Sequence, residues 1–239
     1  MSEHTHDHHH GRSPGHDHAS PRHDIPPLPD SADGLPAWWE ELYSGAGTRW
    51  SGNANARLVE AVSALEARGA TPGRALDLGC GEGGDVVWLA ERGWSVTGVD
   101  VAHAAVAKAR SAAEARGVDV VLERHDLTQT FPEGEFELVN AQFLQAPVGW
   151  PRAEVLRRAA AAVAPGGHLL VVNHAEPPPW SQLDRDAVGF PTPQGVLADL
   201  ALGEGWEVLR AEVAARPAAG PGGQHGHLDD SVVLVRRRG

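Results

Sequence analysis

Cysteine, lysine, tyrosine and methionine are almost missing from this 239-residue chain, which holds one of each. The single cysteine, Cys80, excludes an intrachain disulfide and any cysteine-based zinc site built within one chain, and this suits a reducing compartment. Long apolar runs are absent too: none approaches the roughly 18–20 residues that span a bilayer. The polar N-terminus lacks the apolar segment of a secretory signal, so a cytoplasmic protein with no membrane contact is expected. Basic residues are outnumbered, 20 against 32 acidic, giving a formal charge of -12. Such a surface repels phosphate backbones and makes a long nucleic acid a poor partner. With 41% hydrophobic and 22% charged residues, the chain can still bury one sizeable core.

What is present divides the chain into two parts. Residues 1–33 carry eight of the fourteen histidines and few apolar side chains before Ile25, too few to offset the entropy of ordering. A disordered tail is expected there, followed by one domain over residues 34–239. In the tail, His4, His6, His8, His9, His10, His16, His18 and His23 are interleaved with Asp7 and Asp17, a set that suits a divalent transition metal such as nickel, zinc or copper. A protein that buffers or senses metal through this tail is thus one functional reading. A solvated polar tail with incidental affinity is the plainer one.

From Leu35 the pattern becomes that of a folded domain. Short helices are expected over Pro36–Tyr43 and Asn55–Arg68, the latter with Leu58, Val62 and Leu65 at helical spacing. Strands and helices then alternate: strands Arg74–Leu78, Ser95–Asp100, Val118–Glu123, Phe136–Ala141 and His168–Asn173, with helices Gly84–Arg92, Ala102–Arg116 and Arg152–Ala164. That rhythm predicts right-handed crossovers and a parallel sheet covered on both faces. The end differs. A helix over Pro193–Leu202 leads to strands Trp206–Ala214 and Ser231–Arg237, separated by a Gly/Pro-rich turn at Pro217–Gly226 with no helix between them, so these two should pair antiparallel.

Asp77-Leu78-Gly79-Cys80-Gly81-Glu82-Gly83-Gly84 carries most of the information, a strand running through glycines into a helix. Glycines let a ligand approach the backbone, and the helix start offers unpaired amides. A dinucleotide would also suit Gly79-x-Gly81-x-x-Gly84, and a tight turn with Asp77 as a cap needs no ligand at all. Asp77, two positions before Gly79, opposes a pyrophosphate and attracts a sulfonium or ammonium. Asp100 ends the next strand, where a carboxylate accepts both hydroxyls of a ribose. Asp126 and Leu127 follow the third strand, where they can meet an adenine amino group and ring. Tyr43, the only tyrosine, precedes the sheet, so the Tyr-x-x-x-Lys site of short-chain dehydrogenases is absent.

Those segments, with Gly98-Val99-Asp100, Asp126-Leu127, Phe136-Glu137-Leu138-Val139 and Pro165-Gly166-Gly167-His168-Leu169-Leu170, resemble the ordered motifs of class I S-adenosylmethionine-dependent methyltransferases over residues 36–239. The resemblance implies an α/β fold, a Rossmann-like doubly wound sheet of seven strands, mostly parallel with the last strand antiparallel. It implies S-adenosylmethionine as donor and S-adenosylhomocysteine as product. The stretch around Trp50-Ser51-Gly52 is similar to small-molecule enzymes of the thiopurine and tellurite-resistance type. The donor-contacting set so implied is Asp77, Gly79, Cys80, Gly81, Asp100, Val101, Asp126, Leu127, Asn140 and Trp50.

Doubly wound sheets bind ligands beyond the C-terminal ends of their strands, which places Asn140, Gln142 and Gln145 after one strand and Asn173, His174 and Glu176 after another. His174 is the candidate base, since imidazole titrates near neutral pH; Gln142 is a candidate for contact with the reacting group. Each has a plainer role in finishing a loop. Trp38, Trp39 and Trp50 precede the sheet, in a region that the resemblance implies lies over the donor as a lid excluding water; the plainer role is packing of an N-terminal helix. Pro177–Phe190 is placed to act as a substrate-specificity loop. A small acceptor, such as a thiol, a metalloid or another small nucleophile, is expected.

Overall fold

The computed structural model describes residues 25–146, 148–177, 189–219 and 225–239. Its elements, in chain order, are α1 (Leu35–Ser44), α2 (Ala56–Ala67), β1 (Arg74–Leu78), α3 (Gly84–Glu91), β2 (Ser95–Asp100), α4 (His103–Arg116), β3 (Val121–Arg124), β4 (Phe136–Gln142), α5 (Arg152–Ala161), β5 (Val163–His174), α6 (Pro193–Leu200), β6 (Trp206–Ala219) and β7 (His225–Arg237). The strands form one seven-stranded sheet in the order β3-β2-β1-β4-β5-β7-β6. β1 to β5 run parallel, and β7 lies antiparallel to both β5 and β6. The expected doubly wound fold is therefore present, including the antiparallel last strand.

Both faces of the sheet are covered, and the strands accordingly read as nearly continuous apolar runs. On one face Leu58 and Val62 of α2 and Val86 and Leu89 of α3 pack with Ala75, Leu138, Leu170 and Val232. On the other, Val155 and Leu156 of α5 and Val196 and Leu200 of α6 pack with Leu76, Val139, Val171 and Val233. Each of these larger side chains contributes roughly 1.5–3 kcal/mol when fully buried. Chain direction across the sheet reverses between β1 and β4, opening the ligand crevice at their C-terminal ends. Their register sets Asp77 directly beside Asn140.

Several element ends differ from the sequence expectation for local reasons. β3 begins at Val121 instead of Val118, because Gly117 takes a left-handed conformation (φ 64) and the Val118 amide closes α4 by donating to Ala113 at 3.1 Å. Helix α6 stops at Leu200 where Ala201 turns left-handed. The last hairpin is longer than expected: Arg216 pairs with Leu228 and Pro217 with His227 inside the ladder. Pro217 is found on β6, an edge strand, the part of a sheet where proline is tolerated.

The expected tail boundary at residue 33 falls within a described stretch. Pro26 is buried and its carbonyl accepts the Trp38 indole N–H at 3.1 Å. The tail histidines His4 to His23 lie outside the described residues, as does most of the expected specificity loop.

Candidate functional site

The glycine turn after β1 is tied to β2 at three points. The amides of Gly79 and Cys80 both donate to the Val99 carbonyl, at 2.8 and 2.9 Å. The Gly81 amide donates to Asp100 at 3.0 Å, and the other Asp100 oxygen accepts the Ala102 amide at 3.0 Å. Asp100 thus holds turn and strand end together; with the Val101 amide it takes three backbone donors and keeps accepting capacity for one more. Gly81 sits at φ 53, and a Cβ on it would come within 3.0 Å of the Tyr43 hydroxyl. The absence of a side chain keeps this part of the crevice open.

Besides Glu82, which pairs with Lys108, three carboxylates lie buried around that turn: Asp77, Asp85 and Asp100. The Asn140 amide nitrogen donates to Asp77 at 2.7 Å and to Asp85 at 3.1 Å, and Asp85 also accepts the backbone and side chain of Asn55 at 2.6 and 2.9 Å. Among the described residues no lysine or arginine forms an ion pair with any of the three. Burial raises all three carboxyls above their ordinary range, and for Asp77 the nearby charge of Asp85 raises it further, against the hydrogen bond from Asn140. A buried anionic cluster without a cation is electrostatically incomplete, and a ligand carrying positive charge completes it. Burial, with Asp77 and Asp100, also pushes the Cys80 thiol up, so Cys80 stays neutral and acts as packing at the turn.

A latch closes over this region. The Glu82 carboxylate accepts the backbone amides of Arg49 and Trp50, each at 2.9 Å, and the Lys108 ammonium at 3.1 Å. Trp50 is exposed by 55%, and its indole donates to the Tyr43 hydroxyl at 3.2 Å. The indole edge lies 3.9 Å from where a Gly81 Cβ would sit, so Trp50 lies beside the turn. Trp38, by contrast, is buried, and Trp39 stacks on Tyr43. Helix α1 is anchored by Glu40, which accepts the His103 amide at 2.6 Å and the Ala104 amide at 3.2 Å at the start of α4.

The remaining expected residues take different positions. Asp126 accepts the Thr128 amide and hydroxyl at 3.0 and 2.7 Å through one oxygen. Leu127 is buried in the core and its carbonyl accepts Arg158. The Val101 carbonyl accepts Arg124 at 2.8 Å. Asn140 is fully buried and uses its whole amide inside the protein, with its oxygen accepting Gln142 at 2.9 Å. It positions Asp77 and Asp85 from behind. Among the described residues the buried Gln142 oxygen, at the C-terminal end of β4, has no hydrogen-bond partner. His174, at the end of β5, packs its ring 4.4 Å from that of Phe143, and burial lowers its pKa from the ordinary value. Sequence reasoning missed Asp85, Glu82 and Phe143. Asp85 in the first turn of α3 reads as an ordinary helix-start acid, and Glu82 gains its role only from a loop 32 residues earlier. Phe143 has φ 51, an uncommon conformation for a bulky residue and one that composition does not announce.

The site fits an S-adenosylmethionine-like donor. Its uncompensated carboxylates suit a sulfonium and an ammonium, its bare glycines admit close approach, and Asp100 retains accepting capacity for a ribose hydroxyl. Among the described residues no group of three or more His, Cys, Asp or Glu side chains could hold a metal ion, and no helix is long and apolar enough to cross a membrane.

Comparison with known proteins agrees with this geometry. The profile of a methyltransferase domain family matches residues 75–167. Phosphatidylethanolamine N-methyltransferase of Cereibacter sphaeroides is 30% identical over 164 residues, which covers 66% of this chain and 78% of that protein. In fold, the chain is similar to TehB from Haemophilus influenzae, with a TM-score of 0.62 at 16% identity, covering 84% of this chain and 66% of that one. It is similar also to the N-methyltransferase NodS of Bradyrhizobium japonicum in complex with S-adenosyl-L-homocysteine, with a TM-score of 0.59 at 17% identity over 82% of this chain and 94% of that one.

Proposed function

This chain belongs to the class I S-adenosylmethionine-dependent methyltransferases, and from that premise we propose that it methylates a small-molecule acceptor, a thiol, metalloid or other small nucleophile, at the C-terminal edge of the sheet. The observation that carries the reading is the trio Asp77, Asp85 and Asp100, buried with no cationic side chain paired to them among the described residues. A net charge of -12 favours a small acceptor over a polyphosphate chain.

In this reading Asp77, Gly79 and Gly81 take the methionine part of the donor, with Cys80 packed beneath. Asp100 and Val101 take the ribose, and Asp126 with Leu127 the adenine. Trp50, latched by Glu82, covers the bound molecule and excludes water. Asn140 keeps Asp77 in place. The bound donor supplies an electrophilic methyl group; the protein's part is to hold an acceptor in line with it, which accounts for much of the acceleration in such displacements. Gln142, with its buried oxygen lacking a partner among the described residues, is placed to orient the acceptor.

Incubation with methyl-labelled S-adenosylmethionine and a filtered low-molecular-weight cell extract tests the proposal. Label in small products, together with formation of S-adenosylhomocysteine, is the expected result. Label only in macromolecules of a parallel unfiltered extract would refute the small-acceptor reading while leaving the family assignment intact.

A further inference from the structure

Four elements converge at the outer part of the crevice around a carboxylate that takes no part in donor binding. Asp230 of β7 is wholly buried and is the cross-strand partner of His174 on β5. One of its oxygens accepts Arg57 of α2 at 3.2 Å and Arg216 of β6 at 2.8 Å. Among the described residues its other oxygen has no hydrogen-bond partner; it stands 3.8 Å from His174 Nδ1, which is also buried without one among them.

Two unmet buried polar atoms facing each other are an unstable economy of contacts, each costing on the order of 1–3 kcal/mol. A ring displacement of about 1 Å brings them to hydrogen-bond distance. Only one tautomer gains from it. With the proton on Nδ1 the imidazole donates to Asp230; with the proton on Nε2 a nitrogen lone pair would face a carboxylate oxygen. The favoured arrangement leaves the lone pair on Nε2. Nδ1 is buried while 30% of the side chain is exposed, so in this arrangement the lone pair lies on the ring nitrogen other than the buried one.

The ring is also aimed. Phe143 packs against it at 4.4 Å with 31° between the planes, and the Phe143 backbone is held in its left-handed conformation by donating to the Val172 carbonyl at 2.8 Å. The next residue, Leu144, reaches over the donor turn, close enough that a Cβ on Gly79 would come within 2.8 Å of it. One short loop, Phe143 and Leu144, therefore touches both the imidazole and the glycine turn.

We infer that His174 is the general base of this enzyme, that Asp230 is the positioning residue that fixes its tautomer, and that the acceptor is a small molecule methylated on a hydroxyl oxygen. This deepens the proposed function and rests on it. A hydroxyl must lose a proton as it is alkylated, whereas a deprotonated thiol or a neutral amine already offers its electron pair. In the step, the acceptor O–H proton passes to Nε2, the oxygen pair forms the new O–CH3 bond, and the S–CH3 pair returns to sulfur as the neutral thioether. The charged groups around the imidazole suit this task. Burial and Arg216 favour its neutral form, Asp230 opposes them, and Arg57 is balanced by Glu60 at 2.9 Å.

The test has two arms on the full-length protein. In the first, 15N-histidine labelling and two-bond 1H–15N spectra assign the His174 tautomer, its signal identified by loss in His174→Gln; this needs no donor. The expected tautomer is Nδ1–H, shifting toward a mixture in Asp230→Asn. Because Asp230 also neutralises Arg57 and Arg216, that variant can lose its fold, and the wild-type tautomer alone then decides; an Nε2–H wild type overturns the inference. In the second arm, 13C-methyl donor is incubated with the filtered extract and the methyl carbon shift of the product is read. An O-methyl product is expected, with turnover falling about 10²–10⁴-fold in His174→Gln while donor affinity stays within twofold. An S- or N-methyl product, or unchanged turnover in that variant, overturns the base and leaves the methyltransferase reading standing. Donor binding with no product of any kind refutes both.

Discussion

Asn140 bridges two carboxylates: from one amide nitrogen it donates to Asp77 at 2.7 Å and to Asp85 at 3.1 Å. The bridge is neutral, so it satisfies hydrogen bonds without cancelling charge. That is why the pair stays receptive to a cation. Asn140→Ala removes both donors from buried acceptors and is expected to destabilise the unliganded protein by about 1–3 kcal/mol. Urea unfolding at pH 7 measures it, with an unchanged dependence on denaturant showing that the fold is retained.

Gly83 and Gly117 both have positive φ, 87 and 64, but differ in their surroundings. A Cβ on Gly83 would meet the Ala109 backbone at 2.9 Å, while one on Gly117 meets nothing within 4 Å. Gly117→Ala should cost about 1 kcal/mol, the conformational penalty alone. Gly83→Ala adds overpacking to that penalty and should cost about 2–4 kcal/mol. Equal losses in thermal unfolding would contradict the tight seating of the glycine turn on α4.

Glu82 accepts the backbone amides of Arg49 and Trp50 and the Lys108 ammonium, the contacts that in the proposed reading latch Trp50 over the donor. Burial works to raise its carboxyl, but those donors outweigh burial and hold it below the usual range. With the folded pKa depressed, the latch is fully formed above the ordinary carboxylate pKa and lost as pH falls through the folded value. Glu82→Ala removes both acceptor oxygens, and should free the Arg49 and Trp50 amides to exchange hydrogen at pH 7 and weaken donor affinity about tenfold. Protection unaltered in the variant would show that the lid is held by other contacts.

The sheet and the donor turn were legible in the sequence because their signals are local. Buried strands such as β5, with Leu169-Leu170-Val171-Val172, contain apolar runs, and Gly79, Gly81 and Asp100 lie within one strand-turn-helix-strand unit. What escaped depends on pairings across the chain. Nothing near residue 230 announces that Asp230 will face His174, since that follows from the register of β5 against β7. Asn140 was legible as a residue at the ligand end, but its inward role requires the β1–β4 register. The last hairpin was read too short because Pro217 and the surrounding glycines signal a turn, a signal that an edge strand overrides.

The histidine tail gives an independent prediction. Removing residues 1–24 leaves the Pro26 contact to Trp38 intact, so donor affinity should stay within twofold of the full chain. Nickel capacity, measured by dialysis, should fall sharply. A large loss of donor affinity would tie the tail to the catalytic site and revive the metal-sensing alternative.

The measurement closest to the central claim is calorimetric titration of metal-free protein with S-adenosylmethionine in two buffers of different ionisation enthalpy. S-adenosylhomocysteine, NADH and Asp100→Ala serve as comparisons. Because Asp77 has a raised pKa in the unliganded protein and a cation favours its ionised form, binding should release protons and tighten as pH rises. The predicted result is binding of both sulfur ligands, with a buffer-dependent enthalpy for the sulfonium, at least tenfold loss in Asp100→Ala, and none with NADH. Absence of binding by either sulfur ligand, or equal binding of NADH, would contradict a site built from buried carboxylates for a cationic methyl donor.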